Sequence, residues 1–139
     1  MSANYDILMD QGSSFYFHFQ YLDENNNSID VAGYTAEMMV KRSFLSNENL
    51  LHLTNARTNG GITAGITGAT FGMTGGISLN RNLGNTGDQT GGVLLIAGAT
   101  ATGFIPAGYH SYDIELLDSN GIRTRVLKGR FTCNGEVTK

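Results

Sequence analysis

Three histidines, one cysteine and two neighbouring carboxylates are the residues of this chain whose types could do chemistry. His18, His52 and His110 lie on three separate segments. A metal site made from them needs the imidazoles to converge and needs carboxylates or carbonyls behind the rings to orient them. Nothing in the spacing requires that, and the histidines read as polar-face or interface residues of strands. Asp113 and Glu115 stand two apart. A carboxylate pair doing acid–base work faces across a substrate, with one member held protonated. Two carboxylates on one strand face read instead as a solvated stripe. Arg123 and Arg125 follow with the same spacing and are placed to pair with them across a hairpin. Cys133, the single cysteine, has no histidine near it in sequence and reads as a small core or edge filler rather than a nucleophile.

The glycine motifs carry no chemistry either. GGITAGIT and GMTGGIS lack the lysine and the strand–turn–helix context of a phosphate loop, and GxSxG and HExxH are absent. The expectation is a protein that is not an enzyme. No catalytic, cofactor-binding or metal-binding residue is assigned, and no cofactor.

The elements that must position these residues are strands. Tyr109 to Cys133 reads as one long β-hairpin. Tyr112, Ile114 and Leu116 alternate with Asp113 and Glu115, the period of a half-buried strand. Asp118-Ser119-Asn120-Gly121 makes the turn. The return strand runs through Ile122, Val126, Leu127 and Phe131, with Gly129 marking a bulge where the apolar parity slips. A lone hairpin is marginal in water, so the rest of the chain must cover it.

The strongest strand signal is Ser14 to Tyr21. Phe15, Phe17 and Phe19 point one way, against Tyr16, His18 and Gln20. Three phenylalanines on one face argue for a sandwich or barrel core. Tyr5 to Met9 is a short apolar run, and Asp23 to Asp30 a polar turn or loop. Tyr34 to Lys41 alternates as a strand, although its residues also favour helix. Leu50, Leu51 and Leu53 form a short strand around His52, and Val93 to Ala97 a buried one. Ser43 to Glu48 is read as a loop, Ala99 to Ile105 as a loop or short helical turn.

The chain has 139 residues, most simply one domain spanning 1–139. Its net charge of −3 and nine basic residues form no dense basic run, so a nucleic-acid groove is not expected. No apolar segment reaches the roughly 18 residues of a membrane span, and MSANYDILMD has no secretory pattern. A single cysteine fits assembly in a reducing compartment.

The stretch from Gly60 to Gly103 holds 13 of the 19 glycines and only two charged residues, Arg81 and Asp88. GIT at Gly61 and Gly65 and GIS at Gly76 are near-repeats that fit no solenoid period. Arg81 to Gly92 is read as an exposed loop. Residues 60–92 are either a long surface excursion or a glycine-rich assembly arm that pairs with a neighbouring subunit. Low charge with scattered Ile, Phe71, Met73 and Leu79 favours the arm.

Several motifs in order resemble a group of tailed-phage virion proteins. Tyr5-Asp6-Ile7, Gln11-Gly12-Ser13-Ser14-Phe15 and Val31-Ala32-Gly33-Tyr34-Thr35-Ala36 match its opening. Ile105–Gly108, Tyr112–Gly121, Val126–Gly129 and Glu136–Lys139 match its end. The resemblance covers roughly residues 3–60 and 91–139; the glycine-rich block 64–90 departs from it. It implies an immunoglobulin-like β-sandwich built into the tail, baseplate or fibre attachment of a virion, with no active site. All-β class follows from the short alternating strands alone, roughly seven or more of them. The expected partners are other virion structural proteins, in multiple copies, with neither nucleic acid nor membrane. Two alternatives stand beside this: a capsid decoration protein, and a carbohydrate- or receptor-binding module using Tyr16, Tyr109, His110 and the glycine-rich loop.

Overall fold

The computed structural model describes residues 3–43, 49–55, 62–64, 75–81 and 88–135. Among the described residues the protein is all-β: two sheets with one single-turn helix. Its strands are β1 (Ala3–Asn4), β2 (Ile7–Asp10), β3 (Phe15–Gln20), β4 (Thr35–Lys41), β5 (Asn49–Thr54), β6 (Ile62–Ala64), β7 (Gly75–Arg81), β8 (Asp88–Ala97), β9 (Gly108–Leu117) and β10 (Arg123–Asn134); α1 is Ala99–Thr102. The large sheet has seven strands in the order β1-β10-β9-β4-β5-β6, with β2 also on β10. The small sheet is β3-β8-β7. Every pairing is antiparallel except those of β1 and β2, which run parallel to β10.

Period-two alternation decides which side chains meet between the sheets. Ala36, Met38 and Val40 from β4, Tyr112, Ile114 and Leu116 from β9, and Phe131 and Cys133 from β10 share one core with Phe15, Val93, Leu95 and Ala97 of the small sheet. Phe15 meets Phe131 edge-on, ring centroids 5.9 Å apart. The choice of strand for 34–41 holds, because burying every second residue outweighs the helix propensity of Ala, Glu, Met and Lys. Phe17 and Phe19 pack on this core but are half-buried.

The hairpin from Tyr109 to Cys133 forms, with two corrections. Ile122 lies in the turn and is exposed. The register break falls between Arg125 and Leu127, not at Gly129. Gly129 answers a different need: a Cβ there would collide with the Tyr5 carbonyl, which β1 and its continuation bring against β10.

The stretch Arg81 to Gly92 is not an exposed loop where it is described. Arg81 ends β7, β8 begins at Asp88, and Gly91 and Gly92 are buried. The lack of a side chain at Gly92 lets β8 close on the Arg81 carbonyl. Within 60–92, β6 pairs with β5 and β7 with β8 of the same chain. The remainder of that block, the 44–48 loop, residues 56–61 and the motif at 136–139 lie outside the described residues.

Candidate functional site

The outward face of the large sheet gathers most of the charged side chains that sequence singled out. Alternation turns Glu37, Met39 and Lys41 of β4 outward beside Ser111, Asp113 and Glu115 of β9 and Arg123 and Arg125 of β10. They line a shallow groove of about 420 Å3.

Register sets the pairing. Glu37 stands directly opposite Glu115, and Met39 opposite Asp113. Like charges opposite one another repel, and cations on the flanking strands offset this. Arg123 Nη1 donates to Glu115 Oε2 at 2.9 Å, and Arg125 Nε lies 3.2 Å from Asp113 Oδ2. On the other side His52 Nε2 lies 3.3 Å from Glu37 Oε1, an ion-pair distance without a well-aligned hydrogen bond. Burial pushes the Asp113 carboxyl above its ordinary value, and Glu115 adds to this; Arg125 and Lys41 pull it down.

The pairing of Asp113 and Glu115 with Arg123 and Arg125 is therefore as the spacing indicated. Glu37, His52 and Lys41 were missed as parts of the same face. Alternation in 34–41 places Glu37 and Lys41 on one face, but no sequence signal says that β4 sits beside β9. Asp113 and Glu115 each carry an arginine, and Glu37 lies beside the His52 imidazole. The arrangement pairs opposite charges between neighbouring strands, where each such pair contributes modestly.

The remaining candidates do not converge. His18 Nε2 is 3.1 Å from the Arg81 carbonyl on the small sheet. His110 points into the interior of the large sheet, with Nε2 2.7 Å from Pro106 O and Nδ1 buried without a partner. Among the described residues no group of His, Cys, Asp and Glu is placed to hold a metal ion. Cys133 is a core residue, as expected, its Sγ 3.6 Å from Ile105 O; burial raises its thiol pKa, which disfavours the nucleophilic thiolate. Tyr16 and Tyr109 stand on different sheets, and Arg130 lies over the Tyr109 ring at 5.1 Å. With His110 buried, the three do not make one exposed platform. No helix among the described residues is long and apolar enough to cross a membrane.

Two of the opening motifs that carry the resemblance, at 5–7 and 11–15, bond to the C-terminal ones or to residues close by them. Tyr112 Oη donates to Tyr5 O at 2.5 Å, and Tyr5 N to Lys128 O at 2.9 Å. Asp6 Oδ1 accepts the Arg130 N–H at 3.1 Å. Gln11 Nε2 donates to Ile105 O at 2.8 Å, and the Thr102 hydroxyl joins Gly12 N to Ser13 O. Asn55 closes the Tyr34–Ala36 end of β4 by donating to Tyr34 O and accepting from Ala36 N, both at 2.9 Å. Compared with known proteins, the chain matches no protein-family model, and no curated protein matches it.

Proposed function

We propose that this chain is a structural protein of a phage virion, part of the tail, baseplate or adaptor region, acting through contacts with other virion proteins and present in multiple copies. Its fold on this reading is an immunoglobulin-like sandwich of variable type. The strand order supports that layout: β3-β8-β7 correspond to B-E-D, and β10-β9-β4-β5-β6 to G-F-C-C′-C″, with β1 and β2 beside G. Apolar side chains such as Phe15, Met38 and Tyr112 fill the core in place of a disulfide and tryptophan.

The observation that carries the functional reading is that the opening motifs at Tyr5 and Gln11 are hydrogen-bonded to the C-terminal motifs at Tyr112, Lys128 and Ile105. Residues serving catalysis would point into a cleft. These join the N-terminal strands to the C-terminal hairpin, which is what a repeated building block needs from its framework. Fold alone does not give function; the reading joins this framework to the order of the motifs that carry the resemblance.

Separating purified particles into heads and tails and probing each for this chain tests it. Recovery with tails supports the proposal. Recovery with heads points to capsid decoration instead, and absence from particles overturns both.

A further inference from the structure

A strand at the edge of a sheet leaves every second N–H and C=O free, and proteins blunt such edges with short strands, bulges, charges or proline. Three edges here are blunted. The large sheet ends on β6, three residues long, and on β1 and β2, two and four residues long and interrupted by Tyr5-Asp6. β7 breaks register between Leu79 and Arg81, with Asn80 at φ 56°.

β3 has none of these devices. Its six residues, FYFHFQ, include no Lys, Arg, Asp, Glu or Pro. They pair with β8 in unbroken register from Phe15↔Ala97 to Gln20↔Gly92, and no described strand lies on the other side. Tyr21 N donates to Gly91 O across to β8, so alternation turns the backbone groups of Tyr16, His18 and Gln20 to the open side. Along that side Phe17 and Phe19 are only half-buried, and a groove of about 710 Å3 runs past Phe19, Tyr21, Leu22, Val126 and Leu127.

We propose that the open edge of β3 seats a second copy of this chain, two β3 strands pairing antiparallel about a two-fold axis so that two small sheets become one. The strand is complementary to itself. It carries no formal charge, so the axis brings no like charges together. In the register where Tyr16, His18 and Gln20 of each copy pair with one another, Tyr16 lies opposite Gln20, and His18 opposite His18 of the second copy. On the core side Phe17 then meets Phe19 twice, an aromatic cross-strand contact that covers both half-exposed rings. The antiparallel direction carries Asp23 and Glu24 of one copy toward Ser13 of the other, away from their own counterparts. An isologous contact closes at two copies. The inference does not rest on the virion role.

Sedimentation equilibrium of the whole chain is expected to give twice its 14.9 kDa mass. Cα atoms of a hydrogen-bonded antiparallel pair lie about 5.5 Å apart, within disulfide reach. His18→Cys should therefore form a covalent dimer on mild oxidation, whereas Tyr16→Cys, opposite Gln20, should stay uncross-linked; Cys133 is buried and does not compete. Tyr16→Pro removes an edge N–H at an exposed position and should give a monomer with unchanged circular dichroism. Tyr16→Lys makes the same test should the proline disturb the strand. A wild type that is monomeric at every concentration overturns the proposal. So does a dimer that survives Tyr16→Lys, or one in which His18→Cys cross-links no better than Tyr16→Cys.

Discussion

The β9–β10 hairpin turns on Asp118, whose Oδ1 accepts the N–H groups of Asn120 and Ile122, both at 2.9 Å. The β7–β8 hairpin is tied instead by Asn80. Its Oδ1 accepts from Gly91 N at 2.9 Å and Val31 N at 3.3 Å, and its Nδ2 donates to Asp30 Oδ1 at 2.8 Å. In the first hairpin the determining contacts span four residues. In the second they reach back 50 residues, to the loop that follows β3. Among the described residues, the first hairpin is tied within its own turn, and the second by contacts to a loop distant in sequence. Glycine shows the same contrast. Gly121, at φ +84°, has open space around it, whereas a Cβ at Gly92 would meet the Arg81 backbone.

The largest effect should come from the core face of the first hairpin. Phe131 is fully buried against Phe15 and Tyr112, and Phe131→Ala should cost about 3–5 kcal/mol in urea denaturation. Glycine substitutions then separate the two hairpins. Gly92→Ala must displace backbone and should cost roughly 1–3 kcal/mol, with exchange protection lost across β7 and β8. Gly121→Ala meets no neighbour and should cost only about 1–2 kcal/mol of left-handed strain, with β8 protection unchanged. Equal loss of protection in both would erase the distinction. Asn80→Ala strands the buried Gly91 N–H and should cost roughly 1–3 kcal/mol. Its signature is amide shifts at Asp30 and Val31, distant in sequence but in contact.

Acid sharpens the comparison by sign. The Ala32 N–H and the Asn80 amide hold Asp30 below its ordinary value. The stability it contributes is present above that value and lost as pH falls through the depressed one. Asp113 is raised, so its folded form holds the proton more tightly, and stability is lost as pH rises from the ordinary value through the raised one. Denaturation midpoints followed from neutral to acid pH should thus improve for Asp113→Asn at neutral pH. For Asp30→Asn the fall at the acid end should flatten. The same sign for both would refute the environments described for them. The smallest effect is Arg125→Ala, which removes an exposed guanidinium from the partly buried Asp113 and is expected to cost about 1 kcal/mol or less and to shrink with added salt.

Much of the architecture was legible because burial on one face imposes a period of two. That period marked β3, β4 and β9 by their aromatic and aliphatic residues, and the DSNG turn set β9 against β10 as far as the break after Arg125. The Asp113 and Glu115 pairing with Arg123 and Arg125 followed from it, since residues two apart on facing strands share a face. Glu37 and His52 were not legible as members of that face, because strand order is set by which faces fit together.

Composition and local pattern by themselves determined the all-β class, the hairpin and the alternating core faces of β4 and β9. Tertiary structure alone decided that Gly91 and Gly92 are buried strand rather than loop, that Gly129 admits the Tyr5 carbonyl, and that β3 lies at an edge among the described strands. The physical reason is range. Side-chain alternation and turn hydrogen bonds act over a few residues and are written in consecutive letters. Backbone close approach and strand order depend on a partner far along the chain, and a glycine reads the same whether it opens a turn or admits a neighbour.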